Sequence, residues 1–475
     1  MAELPPDDRL TVPDASDGAP ARALPPEVDE ELVENVEALV GQGQQGMVLN
    51  LIADLHPADL GELVSHLSVE AGQALLRWLP DEQAGAVLPE LESALRSDLL
   101  EAVEPHQLVA LLDQMDTDDA ADVLADVDDA VAEAVLPHLE DSAEVGALMG
   151  YAEDTAGGLM ETDLVAVPET ATVAEATEEV RRKAEDIDPH FVYTVDTAGR
   201  LTGIVPLRRL LLAPASAPLA DLALTDYVFV EPDLDQEEVA RLMERYDLVA
   251  LPVVSADGRL LGRITIDDVV DVIREEAEED IQRAAGLVGE EELSSSVFEV
   301  SRGRLPWLAI GMAGAFFSGL VIKTFEGELE QAIVLASFIP LVTATGGNAA
   351  IQSAAIVVQG LTSGELWVGE GLRRIGKELA VALLNGVVLG VLLGVLVVVL
   401  ARTGVPMGDP LRLALTVGLT LLCVVLLATT NGALVPFLLK RMGIDPATSM
   451  GPFVTTLNDI LGLTVYFLIA SAVYL

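Results

Sequence analysis

The sequence predicts a multidomain chain: an all-α superhelical N-terminal domain, a duplicated α+β module, a connecting helix and an α-helical membrane domain of five spans. Three observations predict it. The last third of the chain carries five apolar stretches, each reaching the ~20 residues needed to cross hydrocarbon. A pattern of strands and helices in the middle repeats at an offset of 59 residues. The charge is also divided. Of 26 Lys/Arg and 77 Asp/Glu, ten and nine lie after residue 300, so the first 300 residues hold 16 and 68, a net of −52 against +1 for the rest.

An acidic half of this kind repels nucleic acid and anionic lipid surfaces, which excludes both as general partners. It attracts cations, divalent ones most. A solvated acidic surface would account for most of these carboxylates, so individual positions need support from spacing. Cys423 is the single cysteine. Neither an internal disulfide nor a thiolate metal site is possible, and its apolar surroundings make it packed or lipid-facing.

Residues 1–26 have no apolar core and no basic run, so they are not a signal peptide. Their Pro, Asp and Ala content predicts a disordered tail. Everything before the first apolar stretch is expected to stay in the cytoplasm. Residues 27–158 repeat a loose unit: LHPADLGELVSHL, LPDEQAGAVLPEL, VEPHQLVALLDQM and MDTDDAADVLADV. Each opens on a polar or Pro turn and continues with Leu or Val at helical spacing, which predicts short stacked helices.

Residues 159–276 alternate strand-like runs with helices. VYTVDTAGRLTGIV (192–205) aligns with LPVVSADGRLLGRI (251–264). Each copy is a strand, a Gly turn and a second strand before a helix, and the two should pack as one pseudo-symmetric module. Residues 277–303, with EEDIQRAAGLVGEEELSSSVFEVS, read as an acidic amphipathic helix running to the membrane, a linker or a mechanical connector. Residues 304–475 are the membrane domain, with spans near 305–325, 332–360, 379–401, 411–439 and 450–475. Seven basic residues (Arg302, Arg304, Arg373, Arg374, Lys377, Lys440, Arg441) fall at the expected cytoplasmic edges, and three (Lys323, Arg402, Arg412) at the outer edges. That bias fixes the N-terminus inside, and an odd number of spans puts the C-terminus outside.

Asp459 lies inside the last apolar stretch. A carboxylate there costs at least ~2.5 kcal/mol by insertion scales and ordinarily serves a pathway. The alternative is a structural acid, protonated or bonded to a neighbouring helix through Asn458 or Thr456. Asp445, followed by Pro446, is as a bare feature a helix N-cap. The Gly346-Gly347-Asn348 run either breaks the second span, freeing carbonyls toward a water-filled path, or makes a small-residue helix contact. Asp268 and Asp271 share one helix face, as do Glu276 with Glu279 and Glu276 with Asp280. Like charges so placed destabilise a helix, and a bridging divalent ion removes the penalty. Asp118, Asp119 and Asp122 could face such a bridge. DTDDAADVLADV lacks the Gly and terminal Glu of an EF-hand. The five histidines show no metal-ligand spacing. No P-loop or nucleophile motif supports an enzyme.

Several stretches together resemble the MgtE family of magnesium transporters and channels. YAEDTAGGLM is similar to the family's junction into its paired CBS domains, and the duplicated module resembles that pair. EEDIQRAAG looks like the start of the plug helix. PLVTATGGNAAIQSA (340–354) and GIDPATSMGPFVTTLNDILGLTVYF (443–467) resemble the second- and fifth-span motifs. Ala350 departs from the family's GGN-x-G-x-Q pattern, and Gly451 and Thr455 stand at positions that vary.

The resemblance implies a homodimeric, magnesium-selective, channel-like importer of the inner (plasma) membrane, closed by cytoplasmic magnesium. It makes Asp459 the pore's ion site, Asp445 a pore-mouth acid and Asn348 a pore residue, with Gln352 a weaker candidate. It makes Glu237, Asp247, Asp268, Asp271, Glu276, Glu279 and Asp280 the metal sensor, whose opposite side Asp119 and Asp122 could supply. CBS pairs bind adenine nucleotides. Thr265 and Asp268 fit that signature in the second copy, whereas the first copy has Pro206 and Arg209, so at most one site could hold ATP. Magnesium suits this picture: it gives up its waters reluctantly, and paired carboxylates at a two-fold axis could hold the hydrated ion. A transporter coupled to sodium or protons with a broader divalent range is the nearest rival. A CBS-regulated anion channel would want basic groups within the membrane. A nucleotide-sensing scaffold would need less membrane than five spans.

Overall fold

The computed structural model describes residues 28–183, 187, 189–287, 297–363, 366–367, 371–403, 408–449 and 452–475. The expected disordered tail and Gly451 lie outside them. The chain forms two compact units, Met1–Val269 and Val270–Leu475.

The first unit opens with short helices from Glu30–Gly41 to Ser142–Leu148. Local signals start them. Asp29 accepts a hydrogen bond from the Leu32 N–H, and Pro57 and Pro105 occupy first turns, where no N–H is needed. From residue 57 on, alternate helices pack on one another: 57–65 on 81–87, 81–87 on 105–112, 105–112 on 129–135. That is the expected superhelical stack, and its core includes leucines of the repeated unit, with Leu60, Leu63, Leu88, Leu108 and Leu111 buried.

The duplicated module follows. Strands β1 (Ala166–Pro168), β2 (Phe191–Val195) and β3 (Leu201–Pro206) form one sheet, and β4 (Ala250–Val254) and β5 (Leu260–Thr265) another. The repeat extends to the register. Val192 pairs with Val205 and Leu251 with Ile264, and the ladder slips at Thr194/Val195 in one copy and at Val253/Val254 in the other. Gly199 and Gly258 both take positive φ, 78° and 83°, at the hairpin turns. The two turns grip one another: Leu201 N–H donates to Gly258 O at 3.0 Å, and Leu260 N–H to Gly199 O at 3.1 Å.

One continuous helix, Ile266–Ala285, begins in the module and carries on past it. The expected domain boundary at 276/277 therefore falls inside a helix. The expectation of one helix through to Ser301 is corrected at the other end. Gly286 takes φ 85°, its N–H bonds Arg283 O and the Leu287 N–H bonds Gln282 O, so the helix stops there on a left-handed glycine. The next described helix starts at Val297.

Among the described residues, five helices are long and apolar enough to cross a membrane: Val300–Thr324, Ile333–Thr362, Arg373–Arg402, Pro410–Arg441 and Val454–Val473. The second begins as a 3-10 turn and is α-helical from Ile339 to Thr362, through Gly346, Gly347 and Asn348. The helix break allowed for at GGN does not occur, and Gly346 is a contact instead: a Cβ there would meet Val424 Cγ1 at 2.9 Å. Spans two and four come close at Gly432, where a Cβ would lie 2.2 Å from the Ala350 carbonyl oxygen. Small residues of this kind let backbones pack where lipid gives no hydrophobic driving force. Tyr466 and Phe467 fill the core of this unit, and the Tyr466 hydroxyl donates to the Leu335 carbonyl at 2.7 Å.

Candidate functional site

The fifth span (Pro452–Val473) carries Asp459 a little over one turn into the membrane-length stretch. The carboxylate is partly exposed, and among the described residues it has no hydrogen bond or ion pair. The side chains that would have made it structural are engaged elsewhere. Asn458 is buried at 2% exposure, donates to Val454 O at 2.8 Å and accepts from Asn431 of the fourth span at 3.2 Å. Thr456 packs against Gly314 of the first span. A buried amide pair thus fixes the rotation of the fifth span and leaves the next residue, Asp459, off that contact. On the second span Asn348 and Gln352 are both exposed, one turn apart on the same face.

Asp445 does cap, as its bare sequence suggested: Oδ1 accepts from the Ala447 N–H at 2.8 Å, at the turn Pro446–Ser449 that leads into the fifth span. Its Oδ2 meets Arg283 of the connecting helix at 2.8 Å. Glu279, one turn before, pairs with the same guanidinium. Asp280 lines a cavity of about 180 Å³ together with Gln359 and Thr362 of the second span. Asp271 pairs with Arg274 at 2.9 Å, and Glu276 also has a polar partner.

A second acidic centre lies within the first unit, where helix Thr117–Ala125 meets the module. Asp116, Asp118, Asp119, Asp122, Glu161 and Asp268 press on one another there. Burial is the chief cause in each case and neighbouring carboxylates add to it, pushing Asp119, Asp122 and Glu161 up to about 7 and Asp268 to about 6. Asp118 is raised well above the usual carboxylate range by burial and then by Asp119, and its buried Oδ1 has no hydrogen-bond partner among the described residues. Two basic groups offset part of this charge. Arg263 meets Glu161 at 2.6 Å in a nearly dry pair, and Arg96 meets Asp126. The result is a set of carboxyls that want a proton or a cation.

The module positions Asp268 through Thr265, whose hydroxyl donates to Asp268 Oδ2 at 2.7 Å at the start of the helix. The two candidate nucleotide ligands therefore bind each other. Asp247 sits at the left-handed C-cap of helix Gln236–Tyr246 with φ 50°, and Glu237, in its first turn, pairs with Arg241. Neither belongs to the buried acidic set. Among the described residues no three His, Cys, Asp or Glu side chains are gathered to hold a metal ion by themselves.

Sequence reasoning passed over Glu161, Arg263, Arg283 and Glu378. Glu378 is buried in the third span at 7% exposure, held by Arg374 at 2.7 Å and by the Ser353 hydroxyl of the second span at 3.0 Å. The expected span began at residue 379 and left it just outside. The signal was the Arg374–Glu378 spacing of four within an apolar helix.

Family models match the helical domain, the duplicated module and the membrane domain. A family model described as divalent cation transporter matches residues 339–469, the MgtE intracellular N domain matches residues 55–154, and CBS domains match 156–216 and 219–275. The magnesium transporter MgtE of Thermus thermophilus is 36% identical over 451 residues, 93% of this chain and 98% of the relative. That of Bacillus subtilis is 31% identical over 446 residues, 93% and 97% of the two chains. A crystal structure of the cytosolic domain of the Mg2+ channel MgtE in complex with ATP is 37% identical, covering 50% of this chain and 99% of its own, with a TM-score of 0.48. Matched to two such relatives over nearly their full length, the chain belongs to the MgtE family of magnesium transporters.

Proposed function

We propose that the chain is a magnesium-selective, channel-like importer whose acidic N-terminal half closes it when cytoplasmic magnesium is high. The observation that carries the conducting role is Asp459, a partly exposed carboxylate on a membrane-length helix with no hydrogen bond or ion pair among the described residues. In a homodimer two copies meet at an axis, and their mutual repulsion favours a divalent ion over a monovalent one. Magnesium passes largely hydrated, so the carboxylates and Asn348 act on its water shell. Asp445 serves at the cytoplasmic mouth.

The sensing role rests on the acidic set. Asp119, Asp122 and Asp268, half-buried, form one part of it; Glu237, Glu276, Glu279 and Asp280, also half-buried, and the exposed Asp247 and Asp271 form the rest. A divalent ion relieves their repulsion, so occupancy orders the cytoplasmic half and closes the path. ATP is proposed to bind the module at Thr265 and Asp268, which requires their mutual hydrogen bond to open. The chain lies in the inner membrane, with the soluble half in the cytoplasm and the C-terminus outside.

Magnesium uptake in cells lacking other magnesium uptake, by the natural chain and by Asp459→Ala, tests the pathway. Uptake should fall to background in the variant, and preserved uptake removes Asp459 from the pore. Single-channel currents separate a pore from a coupled transporter. Limited proteolysis of the soluble half against rising magnesium tests the sensor, where unchanged cleavage sinks it.

A further inference from the structure

The connecting helix ends against the membrane unit through a cation of its own. Arg283 stands three residues before the Gly286 stop and spans two carboxylates, Glu279 one turn back and Asp445 at 2.8 Å. Asp445 is committed on both oxygens, since Oδ1 accepts from the Ala447 N–H. On the adjoining face, Asp280, Ile281 and Ala284 share a cavity of about 180 Å³ with Ala355 and Gln359 of the second span. The last turns of the helix therefore face the second span across this cavity and are tied by one guanidinium to the turn that opens the fifth.

We propose that Arg283 is a built-in latch, a protein-borne cation that holds the connecting helix to Asp445 and competes with divalent ions for Asp445 and Glu279. It rests on the reading that this helix controls conduction. A guanidinium keeps its charge at any physiological pH and takes two carboxylates at once, so it can neutralise this pair when no metal does. The Arg283 side chain is 39% exposed and that of Asp445 29%, so the pair is screened and weak enough to open. A weak internal cation sets a floor on closure when cytoplasmic magnesium is scarce. Divalent ions then displace it and replace a screened contact with a stronger one.

The test uses the full chain in lipid vesicles with magnesium-free interiors, reading magnesium influx and, separately, protease cleavage near residues 275–287. Arg283→Glu should raise influx by about threefold to fivefold, the scale of losing a partly exposed ion pair. It should also speed cleavage in chelator. Arg283→Lys should stay within about twofold of the natural chain on both readouts. Influx and cleavage unchanged in Arg283→Glu overturn the latch, and faster cleavage without greater influx overturns it as a control on conduction. Absence of influx in the natural chain refutes the channel reading instead, and cleavage still decides whether Arg283 holds the helix.

Discussion

Asp119→Asn takes one charge out of the buried acidic interface while nearly preserving side-chain volume. Folded, Asp119 is held at about 7 by burial first, then by Asp116 and Asp268. Unfolded, it returns to about 4. A carboxyl raised by folding binds more protons in the folded chain, so its effect is neutral below the unfolded value. It becomes destabilising as the pH rises, reaching its full size above the folded value. Linkage puts the cost of this group at about 2 kcal/mol at pH 5 and about 4 kcal/mol at pH 8. The amide carries neither cost. Its advantage over the natural chain should therefore grow by about 2 to 3 kcal/mol between the two pH values. Hydrogen exchange of the backbone amides in helix Thr117–Ala125, natural chain and variant compared at each pH in chelator, reads this difference locally. Magnesium at pH 8 should narrow the gap, because a cation relieves the natural chain and has less to offer the variant. An advantage equal at pH 5 and pH 8 would refute the reasoning.

Arg263→Ala should cost about 3 to 5 kcal/mol of stability, since it strands Glu161 in a nearly dry site; thermal unfolding of the detergent-solubilised chain measures it. Gly432→Ala should lower the stability of the membrane unit by about 1 to 3 kcal/mol, because its Cβ would stand 2.2 Å from the Ala350 carbonyl oxygen. The same unfolding curve should show the loss in the membrane unit alone. Glu378→Gln keeps the Ser353 contact but drops the charge facing Arg374. Magnesium uptake and membrane-unit stability should both fall, and if neither moves the buried pair is dispensable.

Much of the fold was legible because it is locally encoded. Pro57 and Pro105 announce helix starts, the leucine period marks the stack, and the 59-residue repeat carries through to the glycine turns and the slipped register. Asp459 was legible because a membrane penalises an acid whatever its neighbours. The buried acidic set was only half legible. Asp119, Asp122 and Asp268 drew notice by spacing, yet Glu161 and Arg263 meet across 102 positions of sequence and no local pattern pairs them. Arg283 was hidden for the same reason, since its partner Asp445 lies 162 positions away. The GGN run misled in one respect. Glycine lowers helix propensity, but close packing against Val424 overrides propensity within the membrane unit.

The unbroken helix Ile266–Ala285 gives the chain a phase. Asp268 and Arg283 belong to one helix, with no glycine or proline between them. Each residue added to such a spiral turns everything beyond it by about 100°. A single alanine inserted near Glu278 would turn Arg283 by about 100° about the helix axis relative to Asp268 while leaving every side chain chemically intact. Seven inserted residues, about two turns, would bring it back to nearly the same heading at a greater distance. Evolution can therefore exchange residues along this helix far more freely than it can change their number.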